Sequence, residues 1–246
     1  MSELVKTFVE KGVFHIELHR ANKKNSLIAE MYLALREALV EAQTNDKVHV
    51  ILFKGGKNCF CAGNDIADFL NESVLDTDGP IASFLHELAD VQKPIIAAVS
   101  GPAIGIGTTL LLHCDLVYAT EQSVFSLPFV NLGVCAEAGS SYLLSRQIGH
   151  VRAAELLLFG EAFDAQKAKT FGLINDIVDS DSYWEFAQQQ AEKLAAKPLQ
   201  ALMVNKQLMK PDNELVHQII EQEIIEFSRL IKTEDAKTIF KKFLSR

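Results

Sequence analysis

The sequence predicts an α/β fold in which strands alternate with helices. Two short apolar runs, 48–53 and 95–99, have the character of strands, and each one leads into a glycine-rich turn followed by a helix-like segment. Alternation of this kind is typical of parallel βαβ units. The chain has 246 residues, of which 48% are apolar, so it is long enough for one large domain or one domain with an appendage.

The first elements are predicted to be a hairpin and a long helix. Residues 3–9 and 13–19 alternate apolar and polar side chains around Gly12, as β-hairpins do. Ser26 is a candidate N-cap for an amphipathic helix that runs to about Thr44. Beyond the strand at 48–53, the pattern predicts a loop at 76–80, a helix at 81–91, a strand at 95–99, a helix at 107–113 and strands at 116–119 and 124–129.

From Ser140 onward the pattern predicts only helices, and no proline- or glycine-rich linker separates them from the first part. We expect a core of residues 1–195 and a helical region of residues 196–246. The helical region would pack on the core, on a neighbouring subunit or on both. The predicted helices span 140–148, 150–159, 164–171, 181–196, 198–209 and 213 to the last residue.

Charge and cysteine content exclude several function classes. The formal net charge of −8 argues against nucleic acid as a partner, because binding to phosphates needs a basic surface. The four cysteines and seven histidines do not show metal-ligand spacing, so we expect no metal and free thiols in a reducing compartment. No apolar run is long enough to span a membrane, and no secretory signal is recognisable, which favours the cytoplasm.

Two glycine-rich turns are the main candidates for chemistry. The first is Phe60–Ile66 and the second is Gly101–Gly107. A strand that ends at glycine and continues as a helix exposes backbone N–H groups. If the two turns face each other, the amides of Asn64 and Ile106 would bind one carbonyl oxygen as an oxyanion hole. The plainer interpretation is that these glycines only allow tight turns.

Glu137 is the candidate general base. It lies among apolar and small residues in the segment 132–140, which opens a predicted helix. A carboxylate in apolar surroundings has its pKa raised toward neutrality, which suits proton transfer near pH 7. The alternative is a glutamate that only stabilises the start of the helix through the helix dipole.

These segments resemble the crotonase superfamily, the enoyl-CoA hydratase/isomerase family, over nearly the whole chain. The resemblance is carried by 61–66, 101–105, 114–119 and 125–148. It implies a ββα spiral with a C-terminal helical oligomerisation region, a homotrimer or dimer of trimers, and an acyl-CoA thioester as substrate. No cofactor beyond the CoA of the substrate is then expected. The amides of Asn64 and Ile106 would form the oxyanion hole of this family.

Two departures from the hydratase pattern select a branch of the family. Where hydratases carry two glutamates, this chain has Thr109 and Phe129, and neither side chain is a base near pH 7. The segments around Pro128, Gly133 and Glu137 instead resemble 3-enoyl-CoA to 2-enoyl-CoA isomerases of fatty acid metabolism. In those enzymes one carboxylate, here Glu137, moves a proton from C2 to C4.

The resemblance also implies binding residues. The loop 21–27, with Lys23, Lys24 and Ser26, resembles the loop that contacts the adenine and phosphates of CoA, although a solvated basic loop explains the lysines equally well. Phe129, Leu132 and Met31 are candidate walls of the acyl pocket, with core packing as the plainer role of each. The substrate-binding candidates are Lys24, Ser26, Ala62, Gly63, Asp65, Ile66, Phe129 and Leu132.

Two other functions stay open at this point. A hydratase or a ring-type CoA-ester isomerase of the same fold would use the same glutamate. A non-catalytic relative that binds RNA or acts as a scaffold is disfavoured by the net acidity and by Glu137.

Overall fold

The structure, a computed structural model, describes residues 2–68 and 77–245. Asp76, at the start of the predicted loop, lies outside these residues. The described strands are β1 (Val5–Glu10), β2 (Val13–Leu18), β3 (Val50–Lys54), β4 (Ile95–Val99), β5 (Pro102–Ile104), β6 (Leu116–Thr120), β7 (Val124–Ser126), β8 (Phe163–Asp164) and β9 (Asp176–Val178).

Helices surround these strands and make up most of the second half of the chain. None of the helices in the described ranges is long and apolar enough to cross a membrane. The helices are α1 (Ala29–Thr44), α2 (Pro80–Asp90), α3 (Ile106–Thr109), α4 (Ser140–Ile148), α5 (His150–Phe159), α6 (Ala165–Phe171), α7 (Tyr183–Ala195), α8 (Leu199–Met209), α9 (Asn213–Leu230) and α10 (Glu234–Leu244).

A six-stranded sheet with the order β1–β2–β3–β4–β6–β9 forms the centre of the fold. The pair β1–β2 is antiparallel and the other four pairs are parallel. Strands β5, β7 and β8 form a second, smaller sheet. The α/β prediction is therefore confirmed, and so is the N-terminal hairpin.

The central strands are buried on both faces, because helices cover each side. Side chains alternate along a strand. Ile51 and Phe53 of β3 belong to the main core with α1 and α2, whereas Val50 and Leu52 face the small side chains of α7. Helix α9 also packs on the main core, to which it contributes Ile220 and Phe227 among others.

The predicted start of the first helix is wrong. Helix α1 begins at Ala29 with Ile28 in the N-cap position, not with Ser26. The carboxylate of Asp68 accepts a hydrogen bond of 2.8 Å from the Ala29 N–H. A side chain from a distant segment thus does the work expected of a local cap.

The prediction of only helices after Ser140 is also wrong, because β8 and β9 lie in that region. Each has only two or three residues, too few for a recognisable alternation of side chains. Strand β9 extends the central sheet by pairing with β6. The last predicted helix is two helices, α9 and α10, and β7 ends at Ser126 rather than at Phe129.

Candidate active site

The two glycine-rich turns, which we call the paired turns, are joined by backbone hydrogen bonds. The Cys61 N–H donates to Pro102 O at 3.1 Å, and the Ile104 N–H donates to Cys61 O at 2.9 Å. A Cβ atom at Gly107 would lie 2.6 Å from Cys61 O, which is closer than real Cβ contacts. Glycine at this position is therefore what allows the two backbones to approach so closely.

The pairing leaves two amides available beside each other. Asn64 forms a parallel bridge with Leu27, in which the flanking Gly63 and Asp65 make the hydrogen bonds, so the Asn64 N–H points away from Leu27. The Ile106 N–H lies in the first turn of α3, where no partner within the helix exists.

Neither amide donates a hydrogen bond to an acceptor within residues 2–68 and 77–245. The glycines before them are neighbours, because a Cβ at Gly105 would lie 3.9 Å from Gly63 Cα. The two N–H groups thus have the setting that an oxyanion hole requires.

A cavity of about 480 Å³ opens beside the paired turns. The Ile106 side chain does not line it but is fully buried in the core, and Met31 is a core residue as well. The predicted residues that line the cavity are Lys24, Ser26, Ala62, Gly63, Asn64, Asp65, Ile66, Phe129, Leu132 and Glu137, together with Lys23.

Glu137 is buried against this cavity, with 5% of its surface exposed. Its Oε2 accepts a hydrogen bond of 3.3 Å from Asn64 Nδ2, and Asn64 Oδ1 in turn accepts one from the hydroxyl of Tyr32. Burial, and after it the negative charge of Glu223, raise the pKa of Glu137, and the Asn64 hydrogen bond lowers it, with a net value of about 8. A carboxyl with such a pKa can both take up and return a proton near neutral pH.

The mouth of the cavity has exposed lysine side chains and an arginine that forms an ion pair. Lys23 and Lys24 are exposed and form no ion pair with a described residue, so they are available for an anion. Arg20 instead contacts Asp65 Oδ2 at 2.8 Å and Ser26 Oγ at 2.9 Å. The Asp65 carboxylate and the Ser26 hydroxyl therefore help to shape the mouth.

The two positions at which hydratases carry glutamate show no acid–base group. Thr109 is fully buried and does not line the cavity, and its hydroxyl has no partner among the described residues. The Phe129 ring lines the cavity, and its edge lies 4.0 Å from where a Cβ at Gly105 would be. Phe129 thus covers the second turn with an apolar surface.

Sequence reasoning missed four residues that complete the site. Tyr32 is part of the apolar face of α1 and has the pattern of an ordinary core residue. Phe227 and Phe243 line the cavity from α9 and α10, although the apolar stripe of this segment indicated only core packing or subunit contact. Glu223 is a buried acid on α9, and one acid within an apolar stripe was the signal available.

Known proteins resemble this chain over most of its length. The Enoyl-CoA hydratase/isomerase family model matches residues 9–246. The 1,2-epoxyphenylacetyl-CoA isomerase of Escherichia coli is 35% identical over 84% of this chain and 82% of its own. Enoyl-CoA delta isomerase 2 of Rattus norvegicus is 33% identical over 87% of this chain, which spans only 56% of that protein.

A solved structure shows the same fold. Pseudomonas aeruginosa OdaA superposes with a TM-score of 0.96, at 41% identity and with 100% of both chains covered. The extent of the family match, the identity to the relatives and this superposition agree with the predicted fold. The chain therefore belongs to the enoyl-CoA hydratase/isomerase family and has the crotonase fold.

Proposed function

We propose that the protein is an isomerase that shifts the double bond of 3-enoyl-CoA thioesters to 2-enoyl-CoA. The observation that carries the proposal is Glu137, a buried carboxyl with a raised pKa beside the paired turns. The other carboxylate among the described lining residues, Asp65, is ion-paired with Arg20. A single available acid–base group is what a 1,3-proton shift needs, since one group can serve both carbons.

The reaction would proceed through a dienolate. The Glu137 carboxylate takes the proton from C2, and the electron pair of the C–H bond moves into the thioester carbonyl. The resulting oxyanion is stabilised by the amides of Asn64 and Ile106. Glu137 then returns the proton to C4, which leaves the double bond between C2 and C3.

The apolar lining supports proton return over the addition of water. The side chains of Phe129, Leu132 and Phe227 face the cavity beside Glu137. They offer no hydrogen bond to hold and orient a water molecule, which hydration of a double bond needs.

The exposed Lys23 and Lys24 at the mouth would bind phosphates of CoA. Replacing both lysines by glutamine should raise KM for an acyl-CoA and leave kcat nearly unchanged, because these contacts lie far from the reacting carbons. A change in kcat alone would contradict the assignment.

Glu137→Gln tests the proposed base. With 3-hexenoyl-CoA as substrate, the variant should lose about 10²–10⁴ in kcat, the usual contribution of a general base. Glu121→Gln, a change at an exposed turn, is the matched control and should keep the wild-type rate. A Glu137→Gln rate within about tenfold of wild type would overturn the assignment.

A ring-type CoA-ester isomerase is the second candidate. It is favoured by the Escherichia coli relative, whose name states such an activity, and by the aromatic walls that Phe129, Phe227 and Phe243 give the cavity. Parallel assays with 3-hexenoyl-CoA, 1,2-epoxyphenylacetyl-CoA and crotonyl-CoA separate this reaction and water addition from the double-bond shift.

We also propose that the chain forms a homotrimer or a dimer of trimers. Helices α5 and α8 expose large apolar side chains, which is typical of a surface covered in an assembly. Light scattering should give at least three times the 27.3 kDa of one chain, and a monomer at assay concentration would contradict the proposal. The exposed residues are Val151, Leu158, Phe159, Val204, Leu208 and Met209.

A further inference from the structure

Glu223 of α9 holds the loop that carries Glu137. Its Oε2 accepts a hydrogen bond of 2.6 Å from the Gly139 N–H, and its Oε1 accepts one of 2.9 Å from the Ser141 N–H. Both amides lie at the start of α4, directly after Glu137. The side chain is 7% exposed and has no cation partner among the described residues. Burial raises the pKa of Glu223, and the hydrogen bonds from Ser141 and Gly139, which stabilise the charged form, oppose this effect. A buried carboxylate is thus held in place by two backbone amides.

The loop needs this support because its backbone is strained. Ala138 has a φ of 60°, in the left-handed region that residues with a Cβ rarely adopt, and Gly139 follows with a φ of 70°. Such conformations persist only where the surroundings enforce them. Glu223 binds the amide side of the loop, and His113 Nε2 lies 2.8 Å from Ala138 O on the other side.

The two carboxyl groups face a common space. A small cavity of about 20 Å³ is lined by Glu137, by Glu223 and by apolar side chains of α2 and α9. Apolar walls screen charge weakly, so the charge of Glu223 acts on Glu137 with little attenuation. The charge of Glu223 raises the pKa of Glu137, after burial itself.

The remaining titratable groups that face this pair are neutral near pH 7. They are Tyr32 on α1, Cys61 in the first turn and Cys135 in the Glu137 loop. Burial is the largest cause that raises the pKa of each, to about 12 for Cys61 and about 11 for Cys135. Of the described residues, Glu223 is therefore the one whose charge acts on Glu137, and its two amide hydrogen bonds favour that charged form.

We propose that Glu223 is a positioning residue for the proton transfer, which fixes the Glu137 loop through the two amides and biases the proton on Glu137 through its charge. This inference rests on the proposed function, since it assigns how the base is aimed and tuned. A purely structural role, as a brace between α9 and α4, would affect stability but not the titration of Glu137.

Two variants of Glu223 distinguish the effect of its charge from the effect of its hydrogen bonds to the two amides. Glu223→Gln keeps the size of the side chain but removes its charge and one acceptor oxygen. The pKa of Glu137 should then fall by about one unit, and kcat should fall about tenfold or more because one amide loses its partner. Glu223→Asp keeps the charge but is too short to reach both amides, so kcat should fall while the pKa changes less. Glu221→Gln, an exposed change on the same helix, should leave both values unchanged.

The measurements are the pH profile of kcat/KM for 3-hexenoyl-CoA and a ¹³C NMR titration of glutamate carboxyl carbons. The Glu137 resonance is identified by its loss in Glu137→Gln. If wild type does not isomerise 3-hexenoyl-CoA, the proposed function fails, but the NMR titration still tests the action of Glu223 on Glu137. An unchanged Glu137 midpoint in folded Glu223→Gln would overturn the inference. If that variant does not fold, a Glu223→Asp variant with wild-type kcat would overturn it.

Discussion

Replacing Glu137 by glutamine is expected to stabilise the fold while it abolishes most of the activity. The folded protein holds this carboxyl at a pKa of about 8, against an ordinary value of 4.5, chiefly because it is buried. A raised pKa means that the folded state keeps a proton that the unfolded chain releases. The contribution of Glu137 to the free energy of unfolding is therefore largest below about pH 4.5 and declines as the pH rises toward 8.

The size of the effect follows from the two pKa values. At pH 7 the pH is about 2.5 units above the pKa of the carboxyl in the unfolded chain, and each pH unit corresponds to about 1.4 kcal/mol. Glutamine has no proton to lose, so Glu137→Gln should raise the free energy of unfolding by about 3 kcal/mol at pH 7. At pH 4, where wild-type Glu137 is protonated in both states, the difference should nearly vanish.

Urea unfolding followed by circular dichroism at pH 4 and pH 7 measures this difference. Glu121→Gln at an exposed turn is the control and should change the free energy of unfolding by less than about 0.5 kcal/mol at both pH values. The reasoning is refuted if Glu137→Gln is destabilising at pH 7, or if its effect is the same at both pH values.

Three further predictions concern the support of the site and the sheet. Gly107→Ala should push the paired turns apart and lower kcat at least tenfold at a cost of about 2 kcal/mol in stability, whereas Gly56→Ala, where a Cβ meets only ordinary contacts, should be mild in the same assays. His15 is buried with both ring nitrogens unpaired among the described residues, and burial lowers its pKa, so its own contribution to the free energy of unfolding should be lost as the pH falls below about 6.5. In urea titrations His15→Phe should therefore gain stability relative to wild type as the pH falls from 7 to 5. Lys206→Met should cost about 2 kcal/mol because the Asp115 carboxylate loses its buried partner and keeps only the less buried Lys210, whose Nζ lies 3.5 Å away. In thermal unfolding measurements of both variants, the exposed Lys57→Met should unfold at nearly the wild-type temperature.

Features that depend on neighbouring residues along the chain could be predicted from the sequence, and features that depend on contacts between distant segments could not. The glycine-rich turns and Glu137 are recognisable because each is a local pattern, and the eight substrate-binding candidates line one cavity, whereas Met31 lies in the core. Glu223 lies 84 residues from Gly139 along the chain, and only the packing of α9 brings them together. Tyr32 reaches Asn64 in the same way, from a helix face that has the pattern of ordinary core.

The cap of α1 shows the same limit at the level of secondary structure. Ser26 has the right residue type for an N-cap, but its hydroxyl accepts a hydrogen bond from Arg20 instead. Asp68, far along the chain, takes the position at the helix start. Local preference is overruled here by partners that the tertiary fold supplies.

Helix α9 places Glu223 and Phe227 one turn apart, with Glu223 against the loop that carries Glu137 and Phe227 on the cavity wall. A redesign for a bulkier acyl group would affect both residues together. A shift of α9 that enlarges the cavity would also move the Glu223 carboxylate away from the Gly139 and Ser141 amides. Libraries that diversify Phe227 and Leu132 while keeping Glu223 constant should therefore yield more active variants than libraries that vary the whole helical face.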